Sequence, residues 1–192
     1  EAEGIVYSSK PLSYQGQLIE DFSIRFEHGR AVEVHARTNE ALLQKLYRQM
    51  ATLNKTARDI MLRYRVHSCT DVTGFSLMGH SYEMAQGSGV TVHIQTENVP
   101  FHKEAWAFAD MGLVPSGAYR NRDYAEAGVR LTREIARPMQ DILYDPQTSG
   151  GLLIALPEKD AARCLDELRQ SVPQAAAVGY VTEKMDAAIY LE

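Results

Sequence analysis

The stretch VHSCTDVTGFSLMGHSYEMAQGSGVTVHI, residues 66–94, carries the alternation of strand and helix that decides the fold class. Residues 66–71 have the pattern of a short strand that runs into a loop. Residues 75–86 have the spacing of an amphipathic helix, and the two glycines that follow are common helix stops. Residues 90–94 alternate between side-chain types as a strand does. The order strand, helix, strand indicates a protein that mixes both element types.

The rest of the chain continues this alternation. Apolar residues recur at helical spacing over residues 39–65, where Thr38 is a plausible N-cap and Asn54 marks a possible break. Residues 113–128, rich in Gly, Asn, Arg and Tyr, are predicted to form a long ordered loop, and such loops are usually functional. The remaining predicted elements are helices at 103–111 and 158–171 and strands at 152–156, 176–181 and 188–191. The predicted class is α/β (α+β), with a mixed sheet flanked by helices.

The first residues predict β structure that precedes this domain. Residues 22–26 and 31–35 alternate and are separated by a turn signal that contains Gly29, which predicts a β-hairpin. We therefore expect two parts, a β-hairpin segment at 1–45 and a larger domain at 46–192.

Composition excludes several classes of protein. The 192 residues are 45% hydrophobic and 23% charged, as in globular domains, and the net charge of -5 argues against a nucleic-acid surface. No apolar run reaches the roughly 18 residues that a membrane span needs, and the acidic first residues do not resemble a signal peptide. Two cysteines make no disulfide framework, so a reduced, cytoplasmic protein is expected, with Cys69 an inert thiol.

Residues 69–75 (CTDVTGF) are the first candidate site. An acidic residue, Asp71, leaves a strand just before a glycine turn that opens a helix. Its carboxylate can hold Mg²⁺, which prefers oxygen ligands, and the helix N-terminus offers N–H groups to an anion. The structural alternative is that Asp71 or Thr73 is a plain N-cap, and spacing alone favours that alternative.

Two further segments could bind phosphate. Residues 145–151 (DPQTSGG) place two hydroxyls before two glycines, which permits close backbone approach, although the alternative is a tight turn feeding a core strand. Residues 120–122 (RNR) offer guanidinium groups suited to forked phosphate contacts, and the alternative is a solvated surface.

Taken together, these segments resemble the selenophosphate synthases (selenide, water dikinases) over about residues 48–192. The resemblance rests on CTDVTGF followed by Gly79-His80, on DPQTSGG followed by two leucines, on VPSG at 114–117 followed by Arg120-Asn121, and on MATLNK at 50–55. It implies a domain like the C-terminal domain of aminoimidazole ribonucleotide synthetase. It also implies Mg²⁺ and ATP as cofactors, and a reaction of ATP, selenide and water that gives selenophosphate, AMP and phosphate.

The resemblance also implies site residues. Asp71 would be a Mg²⁺ ligand, and the nucleotide-binding residues would be Thr73, Gly74, Arg120, Asn121, Thr148, Ser149 and Gly150. In this family an N-terminal domain carries the Cys or selenocysteine nucleophile, a lysine and most of the metal-binding aspartates. That pattern is not found before Met50, so the chain by itself is expected to be inactive and to have no catalytic residue of its own.

Residues 4–45 instead resemble a segment of thermophilic-type (M29) metallo-aminopeptidases. The shared stretches are GIVYSSKPLSYQGQLIEDFS at 4–23 and FEHGRAVEV at 26–34, and the peptidase's metal-binding residues are not among them. Two alternatives to a synthase domain therefore stay open, a non-catalytic fusion or chimeric module and, less favoured, an aminopeptidase fragment. Expected partners are ATP, selenide and the N-terminal catalytic domain, with a monomer or a homodimer through the hairpin.

Overall fold

The computed structural model describes residues 2–14 and 17–192, which form two compact units, Glu1–Thr52 and Leu53–Glu192. Glu1, Gln15 and Gly16 belong to the predicted segment 1–45 and lie outside the described residues.

The first unit contains small antiparallel sheets and one helix. A three-stranded sheet has the order β1-β4-β5, and β2 pairs with β3. The predicted hairpin is present as β4 and β5, joined by His28 and Gly29, which both have positive φ as a two-residue hairpin turn requires. The elements are β1 (Gly4–Tyr7), β2 (Leu12–Tyr14), β3 (Gln17–Ile19), β4 (Ser23–Glu27), β5 (Arg30–His35) and α1 (Glu40–Ala51).

Helix α1 covers the sheet of this unit and closes its small core. Leu43 of the helix packs with Ile19 and Val34, and all three are buried. The helix begins after Asn39, so the predicted cap at Thr38 is wrong. The Thr38 hydroxyl instead accepts the Glu20 N–H at 3.1 Å, which ties two strand ends together.

The second unit is built on a mixed four-stranded sheet, which confirms the predicted class. The strand order is β10-β7-β11-β8, with β10 antiparallel to β7 and the other neighbours parallel. Strands β6 and β9 form a separate antiparallel pair. The elements are α2 (Lys55–Met61), β6 (Ser68–Asp71), α3 (Ser76–Ser88), β7 (Val90–Ile94), α4 (Lys103–Asp110), α5 (Ser116–Ala125), β8 (Val129–Leu131), α6 (Arg137–Leu143), β9 (Leu152–Ala155), α7 (Glu158–Arg169), β10 (Gly179–Glu183) and β11 (Ile189–Leu191).

Helices α3 and α6 pack against each other, and α3 also packs on the sheet, so the core of the second unit lies between helices and strands. The side chains of Met78, Ile94, Leu143, Ile189 and Leu191 are almost completely buried there. Among the described residues, no helix is long and apolar enough to cross a membrane.

The predicted loop at 113–128 is wrong, because most of it is helix α5. The buried positions of this helix are Ala118, Asn121 and Ala125, so the face that packs carries small and polar side chains. Such a face leaves no apolar stripe for the sequence to show. Strand β9, predicted as buried, is only half-buried, because it has a single strand partner.

Candidate functional site

Asp71 is the last residue of β6, and its side chain is exposed. The cap position of α3 is held by Phe75, without a side-chain hydrogen bond, so neither Asp71 nor Thr73 caps the helix. The structural alternative for this motif is therefore wrong. The carboxylate is left at the surface, where it is accessible to a cation.

Backbone hydrogen bonds join residues 69–75 to residues 145–151. Val72 N–H donates to the Gly151 carbonyl at 2.9 Å, and Gly150 N–H donates back to the Val72 carbonyl at 3.0 Å. Gln147 N–H donates to the Thr73 carbonyl at 3.0 Å. These bonds extend the β6–β9 pairing past the strand ends, so two motifs that lie about 70 residues apart in sequence form one surface.

Gly150 makes this close approach possible. A Cβ atom at this position would lie 2.7 Å from the Val72 carbonyl oxygen, a distance that real side chains do not reach. Since its N–H is already bonded to Val72, Gly150 has no free donor for a phosphate in this structure. Its contribution is to permit contact between the two segments. The neighbouring Thr148 and Ser149 are exposed, and Ser149 takes a left-handed backbone conformation with φ 58°.

Helix α5 connects to both motifs through Asn121. The Asn121 Nδ2 atom donates to the Gly74 carbonyl at 2.9 Å and to the Tyr144 carbonyl at 3.1 Å. Both donors of this buried amide are thus committed to the protein, and the side chain links the glycine turn to the residue before Asp145. Gly117 packs against Pro146, where an added Cβ would lie 2.9 Å from the ring.

The two arginines of residues 120–122 have different surroundings. Arg120 is exposed and makes a 3.5 Å contact with the Ser116 hydroxyl on its own helix. Arg122 is partly buried, donates to Asp141 at 2.7 Å and lies over the Tyr144 ring. Of the two, Arg120 is therefore the one accessible to a phosphate, and Arg122 holds α5 to α6.

Two ionisable groups in the joined segments, Asp145 and Cys69, have shifted pKa values. Partial burial raises the pKa of the Asp145 carboxyl, and a hydrogen bond from Gln147 opposes that rise. Burial also raises the pKa of the Cys69 thiol, and the negative charge of Asp71 adds to the effect. Cys69 was predicted to be a buried, inert thiol, and the structure leaves it only partly buried. Asp145 was not singled out from sequence, because no pattern of residue types indicates how deeply a turn carboxylate is buried.

Asp71 was predicted to bind Mg²⁺, and its surroundings can be compared with what this ion requires. The described part of the chain contains no group of three or more His, Cys, Asp or Glu side chains that could hold a metal ion. One exposed carboxylate at a strand end nevertheless fits Mg²⁺, which binds through one or two carboxylates and completes its shell with waters and phosphate oxygens. The arrangement therefore suits a metal site completed by waters and phosphate oxygens better than a site made only of protein side chains.

Comparison with known proteins identifies the family. Residues 16–192 match the model of the AIR synthase related protein, C-terminal domain. The chain belongs to this family, whose mixed α/β domain is the one described above.

The relatives are described as selenide, water dikinases. The protein from Clostridium botulinum (strain Eklund 17B / Type B) is 46% identical over 143 residues, 74% of this chain and 41% of the relative. The selenide, water dikinase 2 of Peptoclostridium acidaminophilum is 37% identical over 192 residues, 97% of this chain and 55% of the relative. The chain thus spans about half the length of these relatives. The comparisons do not show the predicted aminopeptidase resemblance of residues 4–45.

Proposed function

We propose that this chain is the C-terminal domain of a selenophosphate synthase, which converts ATP, selenide and water to selenophosphate, AMP and phosphate. One observation carries the proposal. Residues 69–75, residues 145–151 and helix α5 lie apart in sequence and are held together by backbone and Asn121 hydrogen bonds. These are the segments on which the resemblance to the synthases rests.

Asp71 is the proposed Mg²⁺ ligand. Bound Mg²⁺ neutralises charge on phosphoryl groups during their transfer. The exposed Thr148, Ser149 and Arg120 would contact the nucleotide. Thr73 and Gly74, which follow Asp71 closely in sequence, would belong to the same site. Asn121 and Gly150, also predicted to bind the cofactor, act indirectly by holding these segments in place.

We further propose that this chain alone does not form selenophosphate, because a single carboxylate cannot assemble a multi-metal phosphate site. The remaining ligands would come from an N-terminal catalytic domain of the kind the family has. The division into segments 1–45 and 46–192, the homodimer and the cytoplasmic location remain predictions.

Isothermal titration of the chain with Mg²⁺-ATP tests the nucleotide site. We expect weak binding that Asp71→Asn removes, since the cation loses its protein ligand. Asp166→Asn is the matched control, because it removes an exposed carboxylate of α7 and should leave binding unchanged. Binding that is equal in wild type and Asp71→Asn would refute the metal assignment.

An activity measurement tests the second proposal. The pure chain incubated with Mg²⁺-ATP and selenide should release no selenide-dependent AMP. Supplying the N-terminal domain of a related synthase in trans should restore some AMP release, and Asp71→Asn should abolish it. Release of AMP by the chain alone would contradict the proposed division of the site.

A further inference from the structure

Strand β1 is an open, apolar edge of the three-stranded sheet in the first unit. Every residue from Gly4 to Tyr7 is exposed, and the exposed fractions of Ile5, Val6 and Tyr7 are 50%, 60% and 74%. Among the described residues, β1 pairs with β4 and with no other strand. An exposed apolar edge strand is a ready site for pairing with another chain.

The backbone of β1 presents unused hydrogen-bonding groups along this edge. Ser8 N–H, just past the strand, donates to the Phe22 carbonyl at 2.8 Å, so Ser8 bonds toward β4. Bonding residues alternate along an antiparallel pair. Val6 therefore bonds toward β4 as well, and the N–H and C=O groups of Ile5 and Tyr7 point away from it. These four groups have no partner within residues 2–14 and 17–192 and can pair with one further strand.

The apolar face of the sheet extends to this edge without being covered. The strand register places Val6, Ile24 and Val34 in one row across β1, β4 and β5. Val34 packs with Leu43 of α1 and is 8% exposed, whereas Val6, at the other end of the row, is 60% exposed. An added strand with an apolar residue opposite Val6 would continue the row.

The opposite edge of the sheet, β5, carries the charges that discourage strand pairing. Glu33 accepts a hydrogen bond from Arg25 at 2.9 Å, and His35 Nε2 lies 2.8 Å from Glu33. Charged side chains are a common protection of edge strands. The stretch Gly4–Tyr7 contains no charged residue, so β1 is the edge that is suited to association.

The charges around β1 favour a second copy of the same strand in the antiparallel direction. Glu3 precedes the strand and is held beside it by the His28 N–H at 2.7 Å, and Lys10 follows the strand. Two antiparallel copies bring Glu3 of each toward Lys10 of the other. Parallel copies would bring like charges together, which is unfavourable.

The positions of the side chains also suit a twofold axis at Val6. Such an axis places Val6 opposite its own copy and pairs the outward groups of Ile5 with those of Tyr7 in the other copy. An aromatic residue opposite a β-branched one is a favourable cross-strand pair. The axis keeps both α1 helices on the same face, so the two apolar rows become one continuous row between them.

We propose that β1 is a homodimer interface, at which two copies of this chain join their three-stranded sheets edge to edge into one six-stranded sheet. This interface goes beyond the proposed function and does not depend on it, because residues 4–7 precede residues 16–192, which match the family. It places the predicted homodimer at β1, beside the hairpin. Each copy has one such edge, so pairing stops at two copies.

Sedimentation equilibrium of the full chain tests the interface. From about 1 to 100 μM, a range that brackets a micromolar Kd, the wild type should show monomer and dimer and no larger species. Val6→Lys should weaken dimerisation at least about tenfold, because it sets two like charges opposite each other. Val32→Lys is the matched control, the same change at a 46% exposed valine of β5, and should dimerise as the wild type does.

Three outcomes of that measurement would overturn the proposal. They are a wild type that stays monomeric throughout, a species larger than the dimer, and equal dimerisation by Val6→Lys and Val32→Lys.

A second pair of variants tests the backbone pairing itself. Tyr7→Pro removes only an outward N–H, and proline is tolerated at edge positions of this kind, so the variant should keep its pairing with β4 and lose the dimer. Tyr7→Phe keeps the N–H and the ring and should dimerise as the wild type does. Equal dimerisation by the two variants would show that the copies associate through another surface. Circular dichroism verifies that each variant is folded.

Amide exchange of the wild type tests the same point without mutation. Protection of the Ile5 and Tyr7 amides should increase with protein concentration relative to that of Ser8, whose N–H is already bonded to Phe22. A ratio that stays constant while the dimer forms would overturn the proposal.

Discussion

Gly150 and Gly87 differ in the space around them, and this difference sets what an added methyl group would do. At Gly150 a Cβ would meet the Val72 carbonyl at 2.7 Å, whereas at Gly87, near the end of α3, it would meet nothing within 4 Å. We expect Gly150→Ala to destabilise the protein by about 1–3 kcal/mol, as forced overpacking does. Gly87→Ala should be neutral or stabilising by up to about 1 kcal/mol, because alanine favours the helix.

Urea denaturation of the two variants measures both effects. Gly150→Ala should also weaken Mg²⁺-ATP binding, since the two motifs must separate to admit the methyl group. Equal stability of the two variants would show that the turn at Gly150 relaxes without cost.

Asp145 provides a pH dependence with a definite sign. Partial burial raises the pKa of its carboxyl in the folded protein. The group therefore contributes stability below its unfolded pKa, about 3.9, and this contribution is lost as pH rises through the folded pKa. Asp145→Asn removes the ionisation, so the stability of this variant relative to wild type should increase from acid to neutral pH.

Denaturation midpoints of wild type and Asp145→Asn across that pH range measure the difference. Gln147→Ala should make the dependence of the wild type steeper, because the Gln147 amide hydrogen bond holds the Asp145 pKa down. If the stability of Asp145→Asn relative to wild type instead fell with rising pH, the assigned shift would be contradicted.

Helices α5 and α6 are joined by a buried carboxylate that accepts hydrogen bonds from two arginines. Asp141 of α6 is 7% exposed and accepts from Arg122 of α5 at 2.7 Å and from Arg137 at 3.0 Å. Asp141→Asn would leave the partly buried Arg122 guanidinium without a charged partner. We expect a loss of about 2–4 kcal/mol, since removing one member of a buried pair is strongly destabilising.

Thermal unfolding measures that loss, with Glu97→Gln as the matched control. Glu97 pairs with Arg133, but both side chains are more than half exposed, so little stability should be lost there. A similar small change in both variants would mean that Arg122 finds a new partner.

The sequence predicts helices that repeat apolar residues over a long stretch, and it misses helices that are short or that pack through small and polar side chains. Helices α1, α2, α3 and α7 repeat large apolar residues at helical spacing and were found. Helix α5 packs through Ala118 and Asn121, and α6 is seven residues long with proline in its first turn, so neither shows the pattern. Strand β8 is not predicted from sequence either, because it is only three residues long.

The candidate site also contains residues that the sequence identifies and residues that only the structure identifies. The motif residues around Asp71 and Thr148 could be identified from their order along the chain. The use of the Asn121 amide and the Gly150 N–H could not, because whether a polar group binds the protein or a ligand depends on which carbonyl faces it in the fold. His80 appeared only as part of a motif, since the contact with Thr73 is set by the turn that precedes α3.

The part of the molecule that the structure describes contains two hydrophobic cores of different size, which predicts the order of unfolding. Among the described residues, the core of the first unit has three buried side chains and that of the second has eleven. A unit of about 50 residues with so small a core is marginally stable. Residues 1–52 should therefore unfold at a lower urea concentration than residues 53–192, and their amides should exchange faster in native buffer.

The single tryptophan, Trp106, lies on α4 of the second unit and reports on that unit alone. In a urea titration, loss of amide protection in residues 1–52 should come first, and the change in Trp106 fluorescence should come later. A fragment of residues 53–192 should show the same fluorescence midpoint as the full chain, because its core is complete without the first unit. Coincident transitions in the full chain, with a lower midpoint in the fragment, would show instead that the two cores fold as one cooperative structure.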